Sequence, residues 1–282
     1  AQIYGQIQTA IAGAERVFAV MDEPLEDKSG DKTMDNLKGV IKFENVNFSY
    51  TDDKQVLYDF NLEVKAGHKV ALVGSTGSGK TTVVNLLMRF YDVDSGRILI
   101  DDVNIKDIDC DNLRKNTAIV LQDTVLFADS VKNNLKYSNS EATDEQMYEA
   151  ARMSNCDNMI RKLPDKYDTK LMSEGENISQ GQRQLLSIAR AFLAQPKILI
   201  LDEATSSVDT RTEKHIQDAM VKLMKNRTSL IIAHRLSTIQ DADLIVVMDE
   251  GRIVETGNHS ELLEKKGRYY QLYMTQFAGE AI

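Results

Sequence analysis

Residues 74–81 constrain the fold of this chain more than any other part of the sequence. They place three glycines, a lysine and a final threonine between a short apolar run, Lys69–Val73, and an apolar helical pattern over 82–91. Glycines in such a turn let successive backbone N–H groups point inward, and the helix that follows presents its positive end. The segment therefore predicts a phosphate-binding loop between a strand and a helix of an α/β fold.

Individual residues of this loop have separate expected roles. Lys80 supplies a point charge for the β- and γ-phosphates of a nucleotide, and the Thr81 hydroxyl can ligate Mg²⁺. The other predicted nucleotide contacts in this segment are Gly74, Ser75, Thr76, Gly77, Ser78, Gly79 and Thr82. The alternative, a glycine-rich turn with an unrelated lysine, is disfavoured by the flanking strand and helix.

Two acidic residues end a second apolar strand. The run 198–201 leads directly into Asp202 and Glu203, and ligands of open α/β sheets bind where parallel strands end. We expect Asp202 to hold Mg²⁺ through water and Glu203 to accept a proton from the water that attacks the γ-phosphate. A surface turn or a helix cap would explain the same pair if the phosphate loop were absent.

Two further features can contact phosphate. His234 directly follows the strand candidate 229–233 and can hydrogen-bond the γ-phosphate, although a structural histidine is an equally open interpretation. Ser179 and Gln182 form a capping box at the start of a helix, which explains both residues. With Gly181 beside the cap, that helix start is also an anion site. A second anion site on one chain suggests a nucleotide held by another copy or by a partner.

Composition limits the classes of function. The 282 residues include 34 Lys+Arg and 43 Asp+Glu, and the formal net charge of −9 argues against a protein that binds nucleic-acid backbones. Cys110 and Cys156 stand far apart and are interpreted as reduced structural thiols. Apolar runs all fall short of the ~20 residues that cross a bilayer. The first residue is Ala1 and not methionine, which suggests a piece of a longer chain.

The first segment, residues 1–24, has the apolar stripe of a helix. Two interpretations of this stripe stay open: a helix that docks on its own domain, or the end of a helix that continues upstream. Residues 25–38 are charged and without period, so they are predicted to be a linker. The predicted domain covers 39–282 and includes a largely helical stretch over about 124–194. Turns are predicted at 66–67, 95–96 and 249–251, and a helical tail is predicted to close the chain after the last of them.

The motifs, in their order and spacing, resemble those of the nucleotide-binding domain of an ATP-binding-cassette (ABC) transporter of the exporter type. The resemblance covers residues ~39–275 and rests on segments 74–81, 178–182, 198–203 and 207–209, together with Gln122 and His234. It implies a P-loop NTPase (RecA-like) core with an antiparallel β subdomain and an inserted α-helical subdomain. It also implies ATP and Mg²⁺ as cofactors and ATP hydrolysis as the activity.

The resemblance also implies roles for single residues. Tyr50 would stack on the adenine, and its alternative is an ordinary aromatic residue of the core. Gln122 would touch Mg²⁺ and the attacking water. Ser179 and Gly181 would close over the γ-phosphate bound by the opposite subunit, Gln182 would be a further nucleotide contact, and Asp209 would reach across the dimer interface. The implied catalytic set is Glu203, His234, Gln122 and Lys80.

The implied partners are a second nucleotide-binding domain, arranged head to tail, and a transmembrane domain of the same polypeptide that continues into residues 1–24. The domain would then lie at the cytoplasmic face of the cell membrane, with no nucleic-acid partner. Segment 173–176 resembles the part of exporters that meets the intracellular loops of the membrane domain.

Three other classes of protein predict different sequence features. A soluble ABC ATPase without a membrane domain would usually carry two cassettes or a coiled-coil insertion, and a GTPase would carry an Asn-Lys-x-Asp tetrapeptide. The sequence contains none of these features. A regulatory module that binds nucleotide without hydrolysis would lack Lys80 or Glu203, and both are present.

The sequence departs from the family pattern in two places. Ile178 and Gln180 stand where leucine and glycine are more common, and Ser207-Val208 stands where alanine and leucine are. Such variation occurs in heterodimeric exporters with one impaired site. We therefore hypothesise that this chain's phosphate loop belongs to the competent site and that its signature faces a partner's weaker site, although glutamine at this position also occurs in homodimers.

Overall fold

The structure is a computed structural model that describes residues 2–23, 25–26, 28–51, 53–121, 124–172, 175–202, 208–233 and 236–276. Short 3₁₀ turns lie at Ile105–Asp107 and Lys166–Asp168. The helices are α1 (Gln2–Met21), α2 (Lys80–Leu87), α3 (Cys110–Lys115), α4 (Val131–Lys136), α5 (Asp144–Met153), α6 (Asp157–Ile160), α7 (Gln180–Ala194), α8 (Thr210–Met224), α9 (Leu236–Gln240), α10 (His259–Lys265) and α11 (Arg268–Gln276). The strands are β1 (Ile41–Thr51), β2 (Lys54–Val64), β3 (Lys69–Val73), β4 (Ser95–Ile100), β5 (Val103–Asn104), β6 (Thr117–Val120), β7 (Ile198–Asp202), β8 (Thr228–Ile232), β9 (Leu244–Asp249) and β10 (Arg252–Gly257).

A six-stranded sheet carries the expected phosphate loop. Its order is β10-β9-β3-β8-β7-β6, and every neighbouring pair is parallel except β9 with β10. Strand β3 lies between β9 and β8, so the loop that follows it emerges in the interior of the sheet and not at its edge. The end of β7 lies beside the end of β8, with Asp202 in register with Ile232.

Both faces of this sheet are buried, as its apolar strands predict. Along β7, Leu199 and Leu201 join the core cluster formed with the helices, whereas Ile198 and Ile200 join the cluster that contains α2 and the second sheet. Strand β3 alternates in the same way, since Ala71 faces the first cluster and Leu72 the second. Because both faces of the sheet are packed, the strand ends and the loop that follows β3 are held in place.

The second sheet is antiparallel, with the order β2-β1-β4-β5. We expected a turn at residues 95–96, but β4 begins there. Gly96 makes this possible: its φ is 81°, and a Cβ would lie 2.3 Å from the carbonyl oxygen of Asn45 on β1. The expected turn was therefore wrong, because glycine here allows close pairing of two strands.

Helices α4 to α7 are inserted between β6 and β7 and form the helical subdomain of the expected fold. Two other local expectations were wrong. The helix after the phosphate loop ends at Leu87, with Arg89 at a φ of 51°, and so does not continue to residue 91. The C-terminal part is not purely helical, because β10 pairs with β9 before α10 begins.

Helix α1 keeps its apolar stripe exposed. Ile3 is 73% exposed, Ile11 53% and Phe18 59%. The interpretation in which this stripe docks on the chain's own domain is therefore wrong. Among the described residues, no helix combines the length and the apolarity that crossing a membrane requires.

The segment predicted as a linker is held on the domain from Lys28 to Leu37. The backbone N–H groups of Asp31 and Lys32 donate to the carbonyl oxygen of Asp107 at 3.1 and 3.0 Å. Met34 N donates to Asn112 Oδ1 at 2.9 Å, and Leu37 is buried. The segment is irregular, as its composition predicts, yet its backbone is anchored along the 3₁₀ turn and α3.

Cys110 and Cys156 are buried free thiols, as expected. Burial raises the pKa of the Cys156 thiol to about 12, so this group stays protonated at neutral pH.

Asp101 joins the anchored segment to the antiparallel sheet. Its carboxylate accepts hydrogen bonds from the backbone N–H groups of Lys38 at 2.6 Å, Gly39 at 3.1 Å and Val40 at 2.8 Å. We predict that Asp101→Ala lowers the free energy of unfolding by about 2 kcal/mol, because three N–H groups lose a charged acceptor. Chemical denaturation of the 282-residue chain measures this loss.

Asp102→Ala is the matched control. Asp102 also has a positive φ, so alanine meets the same backbone penalty, but its carboxylate only forms an exposed pair with Lys42. Equal losses for the two variants would show that the backbone conformation, and not the carboxylate cap, carries the effect.

Candidate functional site

The phosphate loop connects β3 to α2 as the sequence predicts. Gly79 precedes α2 with a φ of 100°, a conformation that favours glycine. At Gly74, a Cβ would lie 2.2 Å from the carbonyl oxygen of Met248 on β9. The loop therefore requires glycine at position 79 for its backbone conformation and at position 74 for its close packing on β9.

Lys80 turns its ammonium group back into the loop. Its Nζ donates to the carbonyl oxygens of Gly74 and Ser75, both at 2.9 Å, and lies 3.4 Å from Ser78 Oγ. Lys80 is 8% exposed. Burial lowers its pKa, and the nearby Asp202 carboxylate opposes that shift. A phosphate in the loop would add negative charge beside this ammonium and so favour its charged form.

A cleft of about 1110 Å³ opens beside the loop. The predicted residues that line it are Thr76, Gly77, Gly79, Lys80, Thr81, Thr82 and Asp202. The start of β2 and the β9–β10 turn complete its walls. The structure thus brings the loop and the acidic end of β7 into one concave site, and its volume is sufficient for a nucleotide.

Tyr50, near the end of β1, lies against α2. Its hydroxyl donates to Thr82 Oγ1 at 3.2 Å and accepts from Asn85 Nδ2 at 3.1 Å. Its ring packs edge-on against Phe48 and Tyr91, with centroids 4.8 and 5.0 Å away, and is 44% exposed. An ordinary core aromatic would be buried, so this alternative is wrong. Tyr50 thus offers a supported, partly exposed aromatic ring beside α2, but it does not itself line the cleft.

The predicted capping box at the start of α7 is present. Ser179 Oγ accepts from Gln182 N at 3.3 Å, and Gln182 Oε1 accepts from Ser179 N at 3.0 Å. Gly181 is buried, and a Cβ there would lie 2.5 Å from Thr212 Cγ2 and 2.8 Å from Val208 Cγ1. Close packing on α8 is thus enough to explain this glycine.

Asp209 caps helix α8. Its Oδ1 accepts from Thr212 N at 3.0 Å, and this backbone contact lowers the pKa of the exposed carboxyl group. Neither Asp209 nor Ser179 lines the cleft beside the phosphate loop. The structure therefore places these two residues outside the walls of that cleft.

Comparison with known proteins decides the family. Residues 57–206 match the family described as ABC transporter. The chain belongs to the ABC transporter family. It is 52% identical over 272 residues to a Mycobacterium bovis protein named fatty acid ABC transporter ATP-binding/permease protein, and the match covers 96% of this chain and 43% of that protein. It is 48% identical over 279 residues to an ATP-dependent lipid A-core flippase of Hahella chejuensis, covering 98% of this chain and 48% of that protein.

A solved structure supports the same assignment. A bacterial Atm1-family ABC exporter with ATP bound superposes with a TM-score of 0.84 at 37% identity, over 98% of this chain and 49% of that one. The expected family, fold class and ATPase class are confirmed, and this ABC domain is one that binds ATP. The chain spans about half the length of the curated relatives it matches.

The oxygen atoms in the cleft of this ABC domain fit a magnesium ion. The Thr81 hydroxyl and the Asp202 carboxylate are hard donors, and both residues line the cleft. Among the residues that the structure describes, no three His, Cys, Asp or Glu side chains gather as a metal site. Mg²⁺ would therefore need phosphate oxygens or water for its remaining ligands, as is usual for this ion.

Several predicted residues lie outside the described residues: Gln122, Ser173, Glu174, Glu203, Ser207 and His234. In the sequence, Glu203 directly follows Asp202 at the end of β7, and His234 comes two residues after Ile232 at the end of β8. Their assigned roles stay predictions.

One part of the site has no signal in the local sequence. The turn between β9 and β10 lines the cleft, and Gly251 N donates to Ser78 O in the phosphate loop at 3.2 Å. We identified this turn from its residues but not its contact with the loop, because nothing in the local sequence signals a hydrogen bond to so distant a segment.

We predict that Lys80→Ala weakens ATP binding by at least about tenfold, because a buried cation next to the phosphates is lost. Isothermal titration with ATP measures the affinity. Lys65→Ala removes an exposed lysine outside the cleft and should leave the affinity unchanged. Normal ATP affinity in Lys80→Ala would contradict the assignment of the phosphate loop.

We predict that Tyr50→Ala weakens ATP binding roughly tenfold, because stacking of a base on an aromatic ring contributes about 1–3 kcal/mol. Tyr50→Phe keeps the ring and loses only the hydroxyl contacts, so it should bind ATP nearly as the parent does. Inorganic tripolyphosphate has no base and should bind equally to all three chains. A matching loss of tripolyphosphate affinity in Tyr50→Ala would point to a disturbed loop and not to lost stacking.

Proposed function

We propose that this chain is the ATP-hydrolysing domain of an ABC exporter, which pairs head to tail with a second such domain around MgATP and powers export across a membrane. The observation that carries this proposal is the cleft lined by Lys80, Thr81 and Asp202, beyond the carboxyl ends of the parallel strands β3 and β7. Nucleotide binding, a hard metal site and an acidic strand end are the parts that phosphoryl transfer to water requires.

Each group of site residues has its own role. The loop from Gly74 to Thr82 and its N–H groups hold the phosphates, Lys80 offsets their charge, and Tyr50 supports the adenine. Thr81 and Gln122 would hold Mg²⁺, with Asp202 acting through water, and the ion would supply further positive charge beside the transferred phosphate. Glu203 orients and deprotonates the attacking water, and His234 and Gln122 steady it.

The second copy completes the site. Ser179 and Asp209 lie on exposed helix starts that do not line the cleft of their own chain. In a head-to-tail pair, Ser179, Gly181 and Gln182 of one domain close over the γ-phosphate held by the other. Because the γ-phosphate then bridges the two domains, its hydrolysis releases the dimer.

Relatives support the exporter assignment over a soluble ABC ATPase. The Mycobacterium bovis relative is named an ATP-binding/permease protein, and this chain covers 43% of it. The exposed apolar stripe of α1 is consistent with a helix that packs on other segments. On this proposal the ATPase domain lies at the cytoplasmic face of the cell membrane, joined to a transmembrane domain of the same polypeptide.

The unusual signature bears on the type of dimer. Ile178 is 6% exposed and packs in the core. Isoleucine therefore fills a buried position at which leucine is more common in the family. Gln180 is partly exposed at the first position of α7 and is the departure that a partner's nucleotide would meet. We retain the proposal that the signature faces a weaker site in a heterodimer, and two equally active sites in the assembled transporter would contradict it.

We predict that Glu203→Gln keeps ATP affinity while steady-state hydrolysis nearly vanishes, because the amide can no longer accept a proton from water. ATP-dependent dimers should then persist in size-exclusion chromatography with light scattering. Phosphate release and ATP titration on the same preparations separate chemistry from binding. Unchanged turnover would remove Glu203 from the role of base, and absence of ATP hydrolysis in the parent chain would contradict the proposed function itself.

A further inference from the structure

The β9–β10 hairpin lies directly against the phosphate loop. Gly251 in its turn donates its N–H to Ser78 O at 3.2 Å and accepts at its carbonyl oxygen from Tyr58 N at 3.1 Å. Met248, near the end of β9, brings its carbonyl oxygen to within 2.2 Å of where a Cβ of Gly74 would lie. A shift of the hairpin would therefore move the surface on which the loop rests.

The first turn of α11 holds this hairpin in place. Glu255 of β10 accepts from Arg268 N at 2.6 Å and from Tyr269 N at 3.0 Å. On the other strand, Asp249 pairs with the Arg268 guanidinium at 3.1 Å. Both strands of the hairpin are thus tied to Arg268 of α11, and β10 is tied to Tyr269 as well.

Close packing and an interruption of the strand pairing support this contact. A Cβ on Gly267 would lie 1.8 Å from Glu255 Oε1, so glycine is what allows the carboxylate to reach the helix start. The pairing of β10 with β9 shifts between Ile253 and Glu255. Val254 is 46% exposed, whereas Glu255 is partly buried. A carboxylate at a partly buried strand position is explained by the two N–H groups that it accepts.

We propose that Glu255 is a positioning residue for ATP binding, which rests on the function proposed above. By capping α11 it fixes the β9–β10 hairpin, and the hairpin holds the phosphate loop through Gly251 and Met248. The competing explanation is that Glu255 only attaches α11 and contributes to stability without any effect on the loop.

The test compares Glu255→Ala with Glu255→Gln in the full 282-residue chain. ATP affinity, the KM for ATP, kcat and the thermal midpoint are measured for each. We expect Glu255→Ala to raise the KM and the dissociation constant for ATP about threefold to tenfold, while kcat at saturating ATP stays close to that of the parent. Glu255→Gln keeps one carbonyl acceptor and should show a smaller rise.

Glu261→Ala is the matched control. Glu261 also accepts a backbone hydrogen bond at a helix start, from Asn258 N at 3.0 Å, but does not bind α11. It should lower the thermal midpoint without raising the KM. If Glu255→Ala does not fold, Glu255→Gln decides by the same criterion.

A lowered thermal midpoint with unchanged ATP affinity in the Glu255 variants would overturn the positioning role. That result is distinguishable from failure of the proposed function, in which the parent chain itself would bind no ATP or hydrolyse it independently of Lys80.

Discussion

The rest of this site depends on the hydrogen bonds between the buried Lys80 ammonium and the glycine-rich loop around it. Removing a cation from water is costly, and burial accordingly lowers the pKa of Lys80. Two carbonyl oxygens of the loop, from Gly74 and Ser75, compensate by accepting its hydrogen bonds at 2.9 Å. The loop can supply them only if its backbone curves around the ammonium. The same curvature would turn its N–H groups towards an anion, so charge compensation and phosphate binding require the same conformation.

That conformation is maintained by parts of the chain far from the loop. The six-stranded sheet holds β3 between β9 and β8, and the β9–β10 hairpin contacts the loop through Gly251 and Met248. The hairpin is in turn tied to α11 by Glu255 and Asp249. The hairpin also lines the cleft, through Asp249 and Gly251 among others, so these contacts adjoin the site directly. They act by limiting where the loop can move, which is how a scaffold makes a binding site rigid.

The parts of the fold that could be predicted from sequence are those with a local signal. The strand β3, the loop, the capping box at Ser179 and the strand end at Asp202 all have a short pattern whose physical cause lies within a few residues. Strand β10 was missed because its residues follow a turn without a clear apolar alternation. The hydrogen bonds from Asp31 and Lys32 to Asp107 and from Gly251 to Ser78 were missed because they join distant segments through backbone atoms, which leave no trace in side-chain patterns.

Ser179 and Asp209 can each cap their own helix and still contact a nucleotide bound by a second domain. As a cap, Ser179 uses its oxygen as an acceptor for Gln182 N, and a hydroxyl in that role can still donate its proton. Asp209 accepts from Thr212 N through one oxygen, and an ionised carboxylate has several further acceptor positions. Capping also fixes both side chains at exposed positions before a partner arrives, which reduces the entropy that binding would cost. The capping box that explains Ser179 without any ligand is therefore also what would prepare it to receive one.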